Sequence, residues 1–259
     1  MKVLCVGDVF ADSGVKKLLK TLPLLKRKYN IDLCIVNGEN SANQNGITKE
    51  TADLIFAAGA DVITGGNHSL RNESVLPYYD QNEFLLRPHN MKCDYGSGYC
   101  LVDMGRYSAA VINLSGTAYL DRVESQNPFE VVNALIYRAK QDGAKFIIVD
   151  FHAEATSEKR AMGFYLDGSI SALFGTHTHI QTADAQILSN GTGYITDIGM
   201  TGVKDSVIGV KKEIIINRLA NGDHSKFEPA EGDSILCGCV FTLDDNTGRC
   251  TEVFAFCDE

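Results

Sequence analysis

Long hydrophobic runs are missing from this 259-residue chain, and so are long runs of positive charge. No apolar stretch approaches the roughly 20 residues that a membrane-crossing helix needs. The first apolar run, Val3 to Val6, gives way at once to Gly7 and Asp8. It is too short for a secretory leader, so a cytoplasmic location without membrane contact is expected. The longest basic run is Lys26-Arg27-Lys28, in a chain of net charge -9. Binding a long nucleic acid takes clustered Lys and Arg to neutralise phosphates, so that class is set aside, while a small nucleotide in a local pocket stays open. The eight cysteines show neither zinc-ribbon nor Cys-x-x-Cys spacing. Cys5, Cys34, Cys100, Cys237 and Cys239 sit in strand-like runs, and all eight are expected to be reduced, as small buried hydrophobes of a cytosolic protein. No repeat, low-complexity tract or linker divides the chain, so a single domain over residues 1–259 is expected.

What is present is an alternation of strands and helices. Apolar runs over 2–6, 33–36 and 61–64 read as strands. Between them, one helix is predicted from a Ser13 cap to about Tyr29, kinked or split by Pro23, and another from Thr48 through Ala58. Residues 99–104 and 107–114 alternate as a hairpin around Gly105-Arg106. Asn127 caps a predicted helix over 128–141 with proline at its first position. The run 145–151 is a strand that delivers His152, followed by a helix over 156–165 capped by Thr156 or Ser157. A strand over 170–174 is expected to stop at Gly175, and another covers 193–197. Gly199-Met200-Thr201-Gly202 reads as a loop able to approach a ligand closely. A helix over 211–219 and a hairpin of 234–243 with 249–257 complete the chain. This order predicts an α/β protein with a largely parallel sheet. Such sheets bind ligands at the carboxyl ends of their strands.

The predicted strand ends carry Asp8, Glu39, Asn40, Asn67, His68, His152, His177 and His179. Each has a bland reading on its own. Asp8 could be a turn former, Glu39 and Asn40 solvated loop residues, and Asn67 a helix cap. His-x-His pairs such as His177-Thr178-His179 are mostly surface or structural residues. Their coincidence at equivalent strand ends points to a site. Carboxylate, amide and imidazole donors without thiolate suit iron, manganese or zinc. Asp8, Glu39, Asn40, Asn67, His152, His177 and His179 are too many for one ion but fit two, with Glu39 the natural bridge. Two ions about 3.5–4 Å apart clamp the attacking and leaving oxygens of an in-line displacement and make hydroxide available near neutral pH. His68, beside Asn67, is the expected proton donor, because imidazole titrates near neutrality. His89 and His224 are expected to be structural or exposed. Asp150 and Asp197 either orient ligand histidines or serve caps and turns.

In this order and placement, Gly7-Asp8, Gly38-Glu39-Asn40, Gly66-Asn67-His68, His152 and Gly175-Thr176-His177-Thr178-His179 resemble the signature of the calcineurin-like metallophosphoesterase superfamily. Two positions depart from it. Phe10 replaces the histidine of the usual Asp-x-His, and Glu39 replaces the bridging aspartate. Those departures, with Asn-Gly-Glu-Asn at 37–40, Asp-Phe-His-Ala-Glu-Ala-Thr-Ser-Glu-Lys at 150–159 and Thr-Asp-Ile-Gly-Met-Thr-Gly at 196–202, resemble the YmdB-like bacterial cyclic-nucleotide phosphodiesterases. The resemblance implies a four-layer α/β/β/α sandwich of mixed sheets and association as dimers or tetramers. It implies one metal on Asp8, Glu39, Asn40 and His179, a second on Glu39, Asn67, His152 and His177, and iron in both. It also implies hydrolysis of 2',3'-cyclic nucleotides, with 3',5'-cyclic ones a further candidate, by attack of a metal-bridging hydroxide with His68 as proton donor. The alternatives are a phosphomonoesterase or nuclease on the same dinuclear site, or a non-catalytic nucleotide or metal sensor.

Overall fold

The computed structural model describes residues 1–43, 45–120 and 124–259. The chain opens with β1 (Lys2–Val6), β2 (Asp8–Val9), α1 (Ala11–Tyr29), β3 (Leu33–Asn37), α2 (Lys49–Ala57) and β4 (Val62–Thr64). It continues through α3 (Leu76–Gln81), β5 (Tyr99–Asp103), β6 (Ser108–Ser115), α4 (Pro128–Gln141), β7 (Phe146–His152), α5 (Thr156–Leu166) and β8 (Ala172–Thr176). It closes with β9 (Gln186–Ile187), β10 (Gly193–Ile195), β11 (Met200–Val203), α6 (Lys212–Asn221), β12 (Ser234–Leu243) and β13 (Cys250–Asp258). One sheet runs β2-β11-β12-β1-β3-β4, with β13 beside β12, and the second runs β5-β6-β7-β8-β10-β9. β1, β3 and β4 are parallel, as are β6, β7, β8 and β10, while β1–β12 and β5–β6 are antiparallel, so both sheets are mixed.

Period-two alternation sends each central strand into two cores. Leu4, Val6, Cys34 and Val36 pack with Leu18 and Leu22 of α1 and Ile55 of α2. Their neighbours Val3, Cys5, Leu33 and Ile35 meet Phe146, Ile148 and Phe174 of the other sheet. On the far side, Ile147, Val149 and Leu173 pack against Leu135 of α4 and Met162 of α5. The two mixed sheets thus share one core and pack helices against their other faces. Strands covered on both faces read as continuous apolar runs.

Several local expectations are corrected. α1 runs unbroken through Pro23, and its cap is Phe10, with Ser13 inside the first turn. An interior proline costs a helix about 3 kcal/mol. Burial of Val15, Leu18, Leu22 and Leu25 against the sheet offsets it. α5 is preceded by Ala155 rather than capped by Thr156 or Ser157. Gly175 lies inside β8 and does not end it; a Cβ there would sit 1.8 Å from the Thr196 carbonyl oxygen. Met200, Thr201 and Gly202, expected as loop, lie in β11, which is paired with β2 and β12. Cys237 and Cys257 stand directly opposite in the β12–β13 pair and are disulfide-bonded, so the expectation of eight reduced cysteines fails at that pair. Cys5, Cys34, Cys93, Cys100, Cys239 and Cys250 are free.

Candidate metal centre

All eight predicted residues meet at the carboxyl edge of the two sheets. Asp8 lies on β2, Glu39 and Asn40 follow β3, Asn67 and His68 follow β4, His152 ends β7, and His177 and His179 follow β8. Asp8, Glu39 and His152 are buried. Gly66 is required by this crowding: a Cβ there would fall 2.3 Å from both Glu39 Oε2 and His152 Nε2. His177 and His179 both adopt positive φ, 101° and 65°. Such backbone is unfavourable for a non-glycine residue and concentrates at functional sites. Asp197 holds the turn by accepting from Thr178 N at 3.1 Å and Thr178 Oγ1 at 2.7 Å, and is itself paired with the buried Lys159 Nζ at 2.7 Å.

The polar atoms form two converging groups. In the first, Asp8 Oδ1 lies 3.8 Å from His179 Nε2 and, although buried, has no hydrogen-bond partner among the described residues. Asn40 Nδ2 is 3.3 Å from the same His179 nitrogen and donates to Glu39 Oε1 at 2.8 Å. In the second, His152 Nε2 faces Asn67 Oδ1 at 2.9 Å, His177 Nδ1 at 3.0 Å and Glu39 Oε1 at 3.4 Å. Glu39 belongs to both groups. Its Oε2 accepts from the His68 backbone N–H at 2.9 Å, and His68 Nδ1 lies 2.9 Å from Asn40 Oδ1.

The electrostatics show what this arrangement lacks. Burial alone would lower the His152 pKa, but the charge and hydrogen bond of Glu39, then Asp8 and Asp150, lift it to about 9. Burial would raise Glu39, yet the charge of His152 and hydrogen bonds from His152 and His68 hold it well below the usual carboxylate range. Burial keeps Asp8 raised despite His179 and His152. Burial and the His152 charge push His177 down to about 3, so it is a neutral lone-pair donor. Glu39 Oε1, Asn67 Oδ1 and His177 Nδ1 thus converge on His152 Nε2, while buried Asp8 Oδ1 has no hydrogen-bond partner among the described residues. A divalent cation fits this donor set. Donor atoms of Glu39, His152 and His177 lie within 4.8 Å of one another.

Each of the three imidazoles His152, His177 and His179 turns one nitrogen into the cluster and is held through the other. His152 Nδ1 bonds Thr176 Oγ1 at 2.9 Å, which donates to Asp150 Oδ1 at 2.7 Å. Burial raises Asp150 to about 6. His179 Nδ1 donates to the Ile208 carbonyl at 2.9 Å. His177 Nε2 meets Glu154 Oε2 at 2.9 Å. Asp150 therefore acts on a histidine through Thr176, and Asp197 acts on the backbone of the His-x-His turn. Phe10 packs edge-on to His179, with ring centroids 5.8 Å apart. His89 and His224 are exposed and outside the cluster. Sequence reasoning missed Glu154, Thr176 and Ile208. Only Glu154 carried a local signal, as an acid two residues beyond His152. A wide cavity lies elsewhere, between α1 and the segment around Glu228 and Asp233. Its walls carry ion pairs such as Lys211–Glu228 and Lys204–Glu259, so the chemistry is assigned to the buried donor cluster.

The sequence profile described as "YmdB-like protein" matches residues 4–256. The chain belongs to the YmdB-like family. A relative from Bacillus subtilis (strain 168), named 2',3'-cyclic-nucleotide 2'-phosphodiesterase, is 40% identical over 98% of this chain and 95% of its own. A Mycoplasma pneumoniae crystal structure, described as a novel phosphatase, superposes with a TM-score of 0.94 at 34% identity, covering 99% of this chain and 92% of that one. The 5'-nucleotidase precursor of Thermus thermophilus matches at a TM-score of 0.58 and 13% identity over 100% of this chain and 54% of that one, a likeness of fold alone. The metallophosphoesterase fold implies divalent metal ions, in keeping with the donor cluster.

Proposed function

We propose that this chain is a dinuclear metal-dependent phosphodiesterase acting on 2',3'-cyclic nucleotides, with 3',5'-cyclic nucleotides as a second substrate class. The observation that carries the reading is the pair of polar clusters around Asp8 Oδ1 and His152 Nε2, sharing Glu39. Asp8, Glu39, Asn40 and His179 would hold one ion, and Glu39, Asn67, His152 and His177 the other. Iron is the proposed metal, with manganese and zinc matching the same donors. Bound there, the ions supply Lewis acidity and hydroxide near neutral pH. Asn40 Oδ1 anchors His68 Nδ1 and leaves Nε2 as the proton-carrying atom. His68, carrying protons on both ring nitrogens, would give its Nε2 proton to the departing ribose oxygen and be left neutral, its remaining Nδ1 proton held by Asn40 Oδ1. The name of the Bacillus subtilis relative supports this substrate class.

The catalytic unit proposed is a single domain, residues 1–259, working in the cytoplasm on small molecules, away from membranes and long nucleic acids. In support, no helix among the described residues is long and apolar enough to cross a membrane, and the net charge is -9. A homo-oligomer, dimer or tetramer, is proposed as well; α6 buries none of its residues and leaves Ile216 and Leu219 56% and 82% exposed.

The test is turnover of 2',3'-cyclic nucleotides by metal-loaded protein. His68→Ala is expected to keep both metals and lose about 10²–10⁴ of turnover, the usual size of general-acid catalysis. Unchanged turnover, or loss of metal from that variant, would end the assignment of His68. The "phosphatase" description of the Mycoplasma pneumoniae relative favours a second reading, a phosphomonoesterase on the same site. Relative rates on bis-p-nitrophenyl phosphate and p-nitrophenyl phosphate separate the two. The pairing of ligands is tested independently of rate. His179→Ala should release mainly the ion shared with Asp8 and Asn40, and His177→Ala mainly the ion shared with Asn67 and His152. Loss of the same ion from both variants, by metal analysis and spectroscopy, contradicts the partition.

A further inference from the structure

Among the three histidines of the cluster, His177 is held differently. His152 and His179 turn Nε2 inward and rest Nδ1 on neutral acceptors, a threonine hydroxyl and a backbone carbonyl. His177 turns Nδ1 inward, 3.0 Å from His152 Nε2, and its outward Nε2 meets a full carboxylate, Glu154 Oε2, at 2.9 Å. The Glu154 side chain is 49% exposed, whereas that of His177 is 18% exposed. The backbone beneath Glu154 is nonetheless pinned. Ala153 and Ala155 on either side are buried, and the His152 carbonyl accepts from Gly116 N at 2.9 Å. The carboxylate is therefore presented at a set position on the rim of the site.

We propose that Glu154 is a positioning residue for the second metal site, fixing His177 as the Nε2–H tautomer so that the Nδ1 lone pair faces the ion. This rests on the two-metal reading above. As a ligand, His177 must offer the Nδ1 lone pair, so its proton belongs on Nε2, the nitrogen 2.9 Å from Glu154 Oε2. The opposite tautomer would leave two lone pairs facing each other at Nε2 and Oε2 and aim a proton at the site. A carboxylate on the far nitrogen also raises the basicity of the ligating one. Glu154 thus sets the affinity of one ion of the pair and leaves the other, on Asp8, Asn40 and His179, unchanged.

The experiment uses the full chain, stripped and reloaded with Zn²⁺, in wild type, Glu154→Gln and Glu154→Ala. Wild type should bind two equivalents, and the ¹⁵N imidazole spectrum should report His177 with its proton on Nε2. Glu154→Ala should weaken the second site by about 10–100-fold, the range for losing such a partner, leave the first site unaltered, and scramble the His177 tautomer. Glu154→Gln keeps an acceptor without the charge and should fall between the two. Metal-free thermal stability should be near wild type in both variants, since the side chain is half exposed. Two tightly bound equivalents and an unchanged tautomer in Glu154→Ala would overturn the role of Glu154 while sparing the two-metal reading. A wild type that binds fewer than two equivalents would overturn that reading and this role with it.

Discussion

Glu39→Gln is expected to release both metals and to lower phosphodiester turnover by at least about 1000-fold, equivalent to about 4 kcal/mol of transition-state stabilisation. The size follows from how many groups depend on one carboxylate. Oε2 accepts from His68 N, Oε1 accepts from Asn40 Nδ2, and Oε1 lies 3.4 Å from both His152 Nε2 and His68 Nδ1. An amide at this position presents an NH₂ to groups that are already donors, so at least one buried donor loses its acceptor. It also removes the negative charge that both ligand groups share. The loss should therefore extend beyond one ion, unlike the losses expected for His177→Ala and His179→Ala. Metal stoichiometry by elemental analysis and turnover on a 2',3'-cyclic nucleotide check it together. Retention of two ions with a tenth or more of wild-type turnover would contradict Glu39 as the bridge.

Asp197→Ala should cost about 3–5 kcal/mol of stability, because it leaves Lys159 buried without a counter-charge. Both side chains are 1% exposed and 2.7 Å apart. Asp197 also accepts from Gly199 N at 2.9 Å and from Thr178 N and Oγ1. Those bonds hold the turn in which His177 and His179 have positive φ, so loosening of the His-x-His turn should accompany the loss of stability. Lys159→Met should cost less, since Asp197 keeps its three donors, and adding it to Asp197→Ala should restore part of the stability by removing the stranded charge. Urea unfolding midpoints at constant m-value measure all three variants. A cost below about 1 kcal/mol for Asp197→Ala would mean that water reaches Lys159 and that the pair does not brace the turn.

The helices and strands were readable where the signal was local. α4 begins at Pro128 and ends at Gln141, as its Asn127 cap and periodicity predicted. Thr48 caps α2 through a capping box with Thr51. The misreadings share one cause. Gly175 looked like a strand stop because glycine weakens strands, but here it makes room for the Thr196 backbone. Met200-Thr201-Gly202 looked like part of a loop, yet β2 and β12 supply hydrogen-bond partners on both sides of β11. Pro23 was outweighed by the apolar face around it. In each case a contact distant in sequence overrode a local preference.

The same division holds for the site. From the sequence alone came the donor chemistry: oxygen and imidazole groups at successive strand ends, a glycine directly before Asp8, Glu39 and Asn67, and enough ligands for two ions. These were accessible because strand periodicity and strand ends are properties of short segments. Only the tertiary structure decided which nitrogen of each histidine faces inward, that Asp8 Oδ1 is buried without a partner among the described residues, that Cys237 meets Cys257, and that Glu154 stands behind His177. Those facts depend on the register of β7 against β8 and of β12 against β13, and on where the turn after β8 crosses the segment after β7. Such registers are set by packing among segments tens to hundreds of residues apart, which no short window of sequence contains.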